Sequence, residues 1–142
     1  MTTKDYLGQA YRIDQRINSK LEQVTSLREL ATKATSTISD MPHAPSKELH
    51  PMENIIVKMV ALEDEINSDI DELVDLKHNI FSAIREIVNL EYQTLLELRY
   101  LCYKSWEQIS VSMDYDIRYL YKLHSKALDE CEIILRGQEK TL

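Results

Sequence analysis

Glycine and proline, the residues on which turn-rich folds depend, are scarce in this sequence. Among 142 residues there are 2 glycines and 3 prolines, against an average usage of about 7% and 5%. A β-sandwich, a β-barrel or a doubly wound sheet would lack the turn residues that its many connections need. The scarcity therefore predicts an all-α chain.

The sequence also has few cysteines, no long apolar run and a polar start. The 2 cysteines, Cys102 and Cys131, do not suggest a disulfide framework, and their apolar surroundings are typical of small core residues. The start from Met1 to Asp5 is polar, unlike a signal peptide, and no window of about 18 apolar residues could cross a membrane. We expect a cytoplasmic protein without membrane contact.

Negative charge predominates, but it is unevenly distributed along the chain. The net charge of −7 argues against nucleic acid, because lysine and arginine supply the contacts to phosphate. Residues 51–90 carry 3 basic and 9 acidic side chains, whereas residues 91–142 carry 7 and 9. The objection to DNA is therefore weakened for the last part of the chain, although that part is not basic overall.

Two long stretches repeat their apolar residues at steps of three and four, which is the spacing of one helix face. They extend from Thr3 to about Ala34 and from Met52 to about Val88, with one polar break at Lys77. Stripes this narrow are typical of coiled coils, because a helix on a globular core needs a wider apolar face. They predict an antiparallel helical hairpin, and pairing of two chains through the same stripes is an open alternative.

The two stretches are separated by residues 35–51, which contain all 3 prolines and several serines. Because proline removes a backbone donor and interrupts helices, we expect a connector there. The hairpin with this connector forms a predicted domain over residues 1–88. A second domain is predicted over residues 89–142, beginning with a short apolar helix over 90–103.

The second domain has the outline of a helix-turn-helix. Ser105 and Gln108 have the form of a capping box, which predicts a short helix over 106–113. Asp116 is a suitable N-cap for a longer helix over 117–135.

The longer helix separates apolar from basic residues. At about 100° per residue, Leu120, Leu123 and Ala127 lie within about 60° of one another and predict a buried face. An exposed face able to reach phosphates and base edges in a major groove is expected on the other side. It consists of Arg118, Tyr119, Tyr121, Lys122, Ser125 and Lys126. An ordinary surface helix with a solvated basic face is the alternative interpretation.

At these residues the sequence resembles a known DNA-binding unit. The run YQTLLELRYLCYKSWEQISVSMDYDIRYLYKLHSKALDE, Tyr92 to Glu130, is similar to the helix-turn-helix of sigma-factor region 4, with its LRY, W-E-x-I and L-H-x-x-A-L patterns. Essentially the full chain, including the T-S-x-x-S-D-M-P segment at Thr35 to Pro42, resembles small phage and prophage proteins of Gram-positive bacteria. The C-termini of these proteins are related to phage transcriptional regulators of the ArpU and RinA type. The resemblance implies a DNA role in the cytoplasm of a bacterial host.

Carried over by position, the resemblance implies a core and an exposed recognition helix. The core positions are Trp106, Ile109, Met113, Tyr115, Leu120, Leu123, Ala127 and Leu128. Two positions depart from the pattern. Asp114 stands where glycine is usual and where a positive φ is often needed. Asp116 replaces a serine, which keeps the cap but sets a carboxylate where the helix would meet phosphate.

Other candidate sites have weaker support. The four histidines, His43, His50, His78 and His124, have no metal-ligand spacing, and we expect them on the surface. An acidic cluster without an EF-hand glycine is expected to be a solvated helix face: Glu63, Asp64, Glu65, Asp69, Asp71, Glu72 and Asp75. No phosphate-binding loop and no activated nucleophile is visible. We expect no enzyme activity, no cofactor and no metal.

These observations predict a phage-type transcriptional regulator that binds double-stranded DNA through the helix-turn-helix. The hairpin would serve self-association, as in a homodimer, or partner docking, because a single copy is expected to bind DNA weakly. The main alternative is an interaction protein that binds host RNA polymerase or another regulator through the sigma-like fold and the acidic hairpin. A structural coiled-coil protein is a third possibility.

Overall fold

Helices account for all the regular structure in the part of the chain that is described. The computed structural model describes residues 1–40 and 45–140, with side chains for residues 1–34 and 52–139. Its helices are α1 (Thr3–Asp40), α2 (Pro45–Arg85), α3 (Leu90–Leu96), α4 (Trp106–Met113) and α5 (Ile117–Lys140). A π-helical turn over Glu97–Leu101 continues α3. No strand occurs in the two described ranges, and the all-α prediction is confirmed.

Fewer residues separate the two long helices along the chain than the sequence predicts. A connector over residues 35–51 is predicted, whereas α1 continues to Asp40 and α2 begins at Pro45. Proline is tolerated at the first position of a helix, since its missing N–H would have no partner inside the helix. Pro51 removes one further backbone donor, and α2 nevertheless continues through it to a length of 41 residues. Pro42 lies outside the described residues.

The chain divides into two compact units. The first unit comprises Met1–Ile13 and Leu73–Leu142, and the second comprises Asp14–Glu72. The predicted domain boundary lies between residues 88 and 89, whereas the two units divide between residues 13 and 14 and between residues 72 and 73. The reason is that the first turns of α1 and the last turns of α2 bury their apolar residues together with those of the shorter helices.

The first unit has two hydrophobic clusters. The larger cluster joins four helices and the π-helical turn through Leu7, Ala10, Ile80, Ile84, Ile87, Leu96, Tyr100, Ala127 and Cys131. The smaller cluster joins α3, α4 and α5 through Leu95, Ile109, Leu120 and Leu123. Because α5 contributes to both clusters, it is fixed on one face along more than three turns.

The second unit is built from the middle of α1 and the first part of α2. Ile17, Val24 and Ile66 are buried in it. Lys20 Nζ lies 2.7 Å from Asp69 Oδ2, whereas the later Leu27 shares a hollow with earlier α2 residues such as Ala61. In this unit, later residues of α1 therefore lie beside earlier residues of α2, as in an antiparallel pair. The coiled-coil geometry of the hairpin stays a prediction.

A polar joint connects α2 to α3 within the first unit. The Asn89 side chain caps α3 by accepting hydrogen bonds from the N–H groups of Glu91 and Tyr92, at 2.9 and 3.3 Å. Gln93 Nε2 lies within 3.5 Å of backbone carbonyl oxygens at the end of α2. The last carbonyls of a helix lack partners inside it; here the carbonyl of Ile84 also accepts from the N–H of Ile87 at 3.0 Å. The joint therefore supplies polar contacts to both helix ends.

Candidate functional site

The start of α4 has the cap that the sequence predicts. The N–H of Gln108 donates to Ser105 Oγ at 3.2 Å, and the N–H of Ser105 donates to Gln108 Oε1 at 2.9 Å. This reciprocal capping box satisfies two donors that would otherwise have no partner. It defines where α4 begins, with Trp106 as its first residue.

A tight turn separates α4 from α5. Asp114 has φ 57° and ψ 48°, so it occupies the left-handed region in which glycine is most common. Ser110 Oγ donates to the carbonyl of Tyr115 at 2.6 Å, and the Tyr115 hydroxyl donates to the Glu91 carboxylate on α3. The carbonyl of Asp116 accepts the hydrogen bond from the N–H of Leu120 that opens α5. The turn is therefore fixed by polar contacts on both sides.

The predicted faces of α5 agree with the observed burial. Leu120, Leu123 and Ala127 are buried. All six residues expected to face outwards are exposed, namely Arg118, Tyr119, Tyr121, Lys122, Ser125 and Lys126. No acidic side chain interrupts the helix from Ile117 to Leu128. This side of α5 therefore presents three cations and two tyrosines to solvent.

His124 is buried, contrary to its prediction from the sequence. It was expected on the surface, but it is only 7% exposed. Its Nε2 shares a hydrogen bond of 2.7 Å with the Tyr100 hydroxyl, and its ring meets Trp106 edge-on at 4.9 Å between centroids. The missed signal is the spacing, because position 124 is four residues after Leu120 and three before Ala127, within the apolar stripe.

Burial determines the protonation of this pair. Desolvation, followed by the positive charges of Lys4 and Arg99, lowers the pKa of His124 from 6.5 to about 4. Desolvation likewise raises the pKa of Tyr100 to about 12. At neutral pH an uncharged imidazole is therefore bonded to an uncharged phenol. Neither group supplies charge to the exposed face of α5.

Acidification is expected to destabilise the first unit through His124. Between pH 6.5 and about 4 the unfolded state binds more protons than the folded state. The contribution of the neutral His124 to stability is therefore fully present above pH 6.5 and is lost as the pH falls towards 4. We expect a loss of about 2 kcal/mol, because each pKa unit corresponds to about 1.4 kcal/mol and residual solvent screens part of it. Urea unfolding near pH 7 and near pH 4.5, followed by Trp106 fluorescence, measures the loss. In His124→Gln the pH dependence should shrink by this amount, and an unchanged dependence would contradict the assignment.

The remaining candidate residues do not form a second site. Cys131 is buried as expected, and burial raises the pKa of its thiol to about 11, but Cys102 is exposed and the prediction of a core position is wrong. Asp69 is buried beside Lys20, unlike the solvated face predicted for the acidic cluster. His43 and His50 lie outside the described side chains, and His78 is exposed. Within the described residues, no three metal-binding side chains form a group.

Comparison with known proteins identifies a family. The family model described as Protein of unknown function (DUF1492) matches residues 45–132, more than half of the chain. No curated protein and no solved structure matches the chain. Among the helices of the described residues, none combines the length and the apolar character needed to span a membrane.

Proposed function

The chain belongs to the DUF1492 family, and we propose that it is a phage-type transcriptional regulator that binds double-stranded DNA through α4, the turn and α5. The observation that carries the proposal is the exposed face of α5. It combines three cations with tyrosine and serine hydroxyls, and it lies opposite the residues that pack against α4 and α3. This separation of an anchoring face from a donor-rich face is what a recognition helix requires.

The residues of this face differ in what they can recognise. Arg118 and Lys122 are one turn apart near the start of α5, where side chains of a recognition helix reach base edges. Tyr119 and Tyr121 flank them, and Lys126 would contact phosphate one turn further on. The similarity to sigma-factor region 4 supports the same assignment. The long helices would serve self-association or partner docking, which raises the DNA affinity of a unit that is not basic overall.

A gel mobility-shift and fluorescence-polarisation assay tests the proposal. The full chain is titrated with duplex fragments from the genome that encodes it, at several salt concentrations. Arg118→Ala/Lys122→Ala should weaken binding by about tenfold or more and lower the slope of log K against log salt by up to about 2, because two phosphate or base contacts are lost.

A charge-matched variant provides the control. Arg28→Ala/Lys58→Ala also removes two exposed cations, but these lie on α1 and α2 rather than on α5. We expect its DNA affinity to match that of the wild type. Absence of wild-type binding at low salt, or an equal loss in both variants, would refute recognition through α5.

The second candidate is an interaction protein that binds RNA polymerase or another regulator. The favouring observation is the exposed acidic cluster of α2, Glu63, Asp64, Glu65, Asp71, Glu72 and Asp75, which suits a basic partner and repels DNA. This candidate expects polymerase to be recovered from nuclease-treated host lysate by a chain without intrinsic DNA affinity. Charge reversal of three of these carboxylates should then abolish recovery, whereas Lys122→Glu should not.

A further inference from the structure

A groove in the first unit is lined mostly by residues that the proposed function does not use, and it shares Tyr121 and Ser125 with the exposed face of α5. It has a volume of about 900 Å³ and lies between the first turns of α1, the π-helical turn and the starts of α4 and α5. Small-molecule sites commonly enclose about 300–1,000 Å³. The groove is therefore large enough for a ligand of the size of a nucleotide.

The charge of the groove is opposite to that of the whole chain. Lys4, Arg12 and Arg99 line it, with Asp5 as the acidic lining residue, in a protein of net charge −7. Hydrogen bonding from the Thr2 side chain, followed by that from the Thr2 N–H at 3.5 Å, lowers the pKa of the Asp5 carboxyl. The lining thus carries two net positive charges, which favours an anionic ligand.

Both guanidinium groups donate to backbone carbonyl oxygens, and Arg12 also interacts electrostatically with the Asp5 carboxylate. Arg12 Nη2 donates to the carbonyl of Asp5 at 3.1 Å, and Arg99 Nη1 donates to the carbonyl of Lys104 at 2.9 Å. A guanidinium carries five N–H donors, and a backbone carbonyl does not neutralise its charge. The ion pairs found in the described residues lie elsewhere, at Arg16–Asp69, Lys20–Asp69 and Arg136–Glu132. The two arginines are therefore held in place with donors and charge available for phosphate oxygens.

Aromatic rings accompany these cations. Tyr11 is 49% exposed and meets Tyr103 edge-on at 5.5 Å between centroids. Tyr121 is 50% exposed and meets Trp106 edge-on at 5.1 Å, while the Arg99 guanidinium lies 4.9 Å from the centre of the Trp106 ring. Exposed aromatic faces beside arginine are the usual partners of a stacked base. A phosphate group alone would leave these faces unused.

Glycine at position 8 keeps one wall of the groove open. Gly8 lies inside α1, where glycine costs about 0.5–1 kcal/mol relative to alanine. A Cβ at this position would meet only Arg12 Nη2 at 4.0 Å, so alanine fits. A longer side chain would project beside Arg12 into the space that a ligand needs.

We propose that this groove binds a nucleotide, with its phosphates on Lys4, Arg12 and Arg99 and its base against Tyr11 and Tyr121. The inference does not depend on duplex binding by α5. Because Tyr121 and Ser125 belong both to the groove and to the exposed face of α5, an occupied groove would also change what that face offers to DNA.

Trp106, the single tryptophan of the chain, lines the groove and reports on its occupation. The full chain is titrated with ATP, GTP and the corresponding 5′-monophosphates while Trp106 fluorescence is recorded, and calorimetry repeats each titration. Inorganic phosphate and adenosine are titrated separately, as the two halves of a nucleotide, to test the phosphate contacts and the base contacts alone. At least one nucleotide should bind about tenfold or more tightly than either half, because phosphate and base contacts act together. No heat and no fluorescence change with any nucleotide up to millimolar concentration would overturn the proposal.

Matched variants locate the site. Lys4→Gln/Arg12→Gln should weaken nucleotide binding by about tenfold or more, whereas Arg28→Gln/Lys58→Gln removes the same charge elsewhere and should have no effect. Gly8→Leu should block binding at unchanged charge, and Gly8→Ala should retain it. Circular dichroism verifies folding of each variant. Equal affinity in Lys4→Gln/Arg12→Gln and wild type would overturn the assignment to this groove.

Two further experiments distinguish nucleotide binding in this groove from binding of single-stranded nucleic acid and from duplex binding by α5. A short single-stranded oligonucleotide is added in place of mononucleotides, and its binding without any binding of mononucleotides would overturn the proposal of a nucleotide ligand. Arg118→Ala/Lys122→Ala should keep its nucleotide affinity even where duplex binding is lost. Failure of duplex binding and failure of nucleotide binding are therefore seen in different variants and with different probes.

Discussion

Replacing Leu120 by alanine is expected to destabilise the first unit by about 2–5 kcal/mol. Leu120 has no exposed surface and packs with Leu95 and Ile109 where α5 meets α3 and α4. Truncation removes apolar contacts and leaves a cavity, because the capped α4 and the fixed turn limit how far the cluster can collapse. Urea unfolding followed by Trp106 fluorescence measures the change directly, since Trp106 packs against this cluster.

Val111→Ala is the matched control for this prediction. Val111 lies on α4 near the same cluster but is 84% exposed, so its truncation should change the unfolding free energy by less than about 0.5 kcal/mol. If Leu120→Ala costs as little as the control, α5 is not anchored through this face. The assignment of Arg118 and Lys122 to the opposite face would then lose its basis.

Local chemistry explains which parts of the fold could be predicted. Two local features were predictable, namely the capping box of Ser105 with Gln108 and the left-handed conformation of Asp114. Each depends only on residues within five positions in the sequence. The buried and exposed faces of α5 follow from helical periodicity, which a sequence displays directly. The start of α4, the turn and the exposed face of α5 were therefore accessible without the structure.

The parts that could not be predicted depend on contacts between distant segments. Leu7 and Ala10 are buried with Ile84 and Ala127, a grouping that no spacing within one helix reveals. The groove has the same origin, since Lys4 and Arg12 join Arg99 only when the start of α1 packs in this unit. His124 was misplaced because a polar residue type was given more weight than its position in the apolar stripe. Cys102 was misplaced because its apolar neighbours lie in sequence rather than in space.

Breaking the contact between Lys20 and Asp69 is expected to be the second large effect. Asp69 is 7% exposed, and Lys20 Nζ lies 2.7 Å from its carboxylate, with Arg16 Nη2 further away at 3.8 Å. Lys20→Met leaves this buried carboxylate with only the longer contact to Arg16. Removal of one partner of a buried ion pair costs about 3–5 kcal/mol, and the remaining arginine should reduce this to about 2–3 kcal/mol.

Far-UV circular dichroism is the appropriate measurement for this variant. The second unit contains neither tyrosine nor tryptophan, so its unfolding is followed through the loss of helix. Lys58→Met, which removes an exposed lysine of the same unit, is the control and should change stability by less than about 0.5 kcal/mol. Trp106 fluorescence in the same samples shows whether the first unit unfolds together with the second.

The double variant Lys20→Met/Asp69→Leu distinguishes the net contribution of the ion pair to stability from the cost of burying one charge without its partner. Two apolar side chains of similar volume remove both charges at once, and such replacements are often neutral or stabilising. We therefore expect the double variant to recover to within about 1 kcal/mol of the wild type, although each single variant is less stable. If the double variant is instead as unstable as the sum of the single variants, the contact between Lys20 and Asp69 does not couple α1 to α2 in this unit.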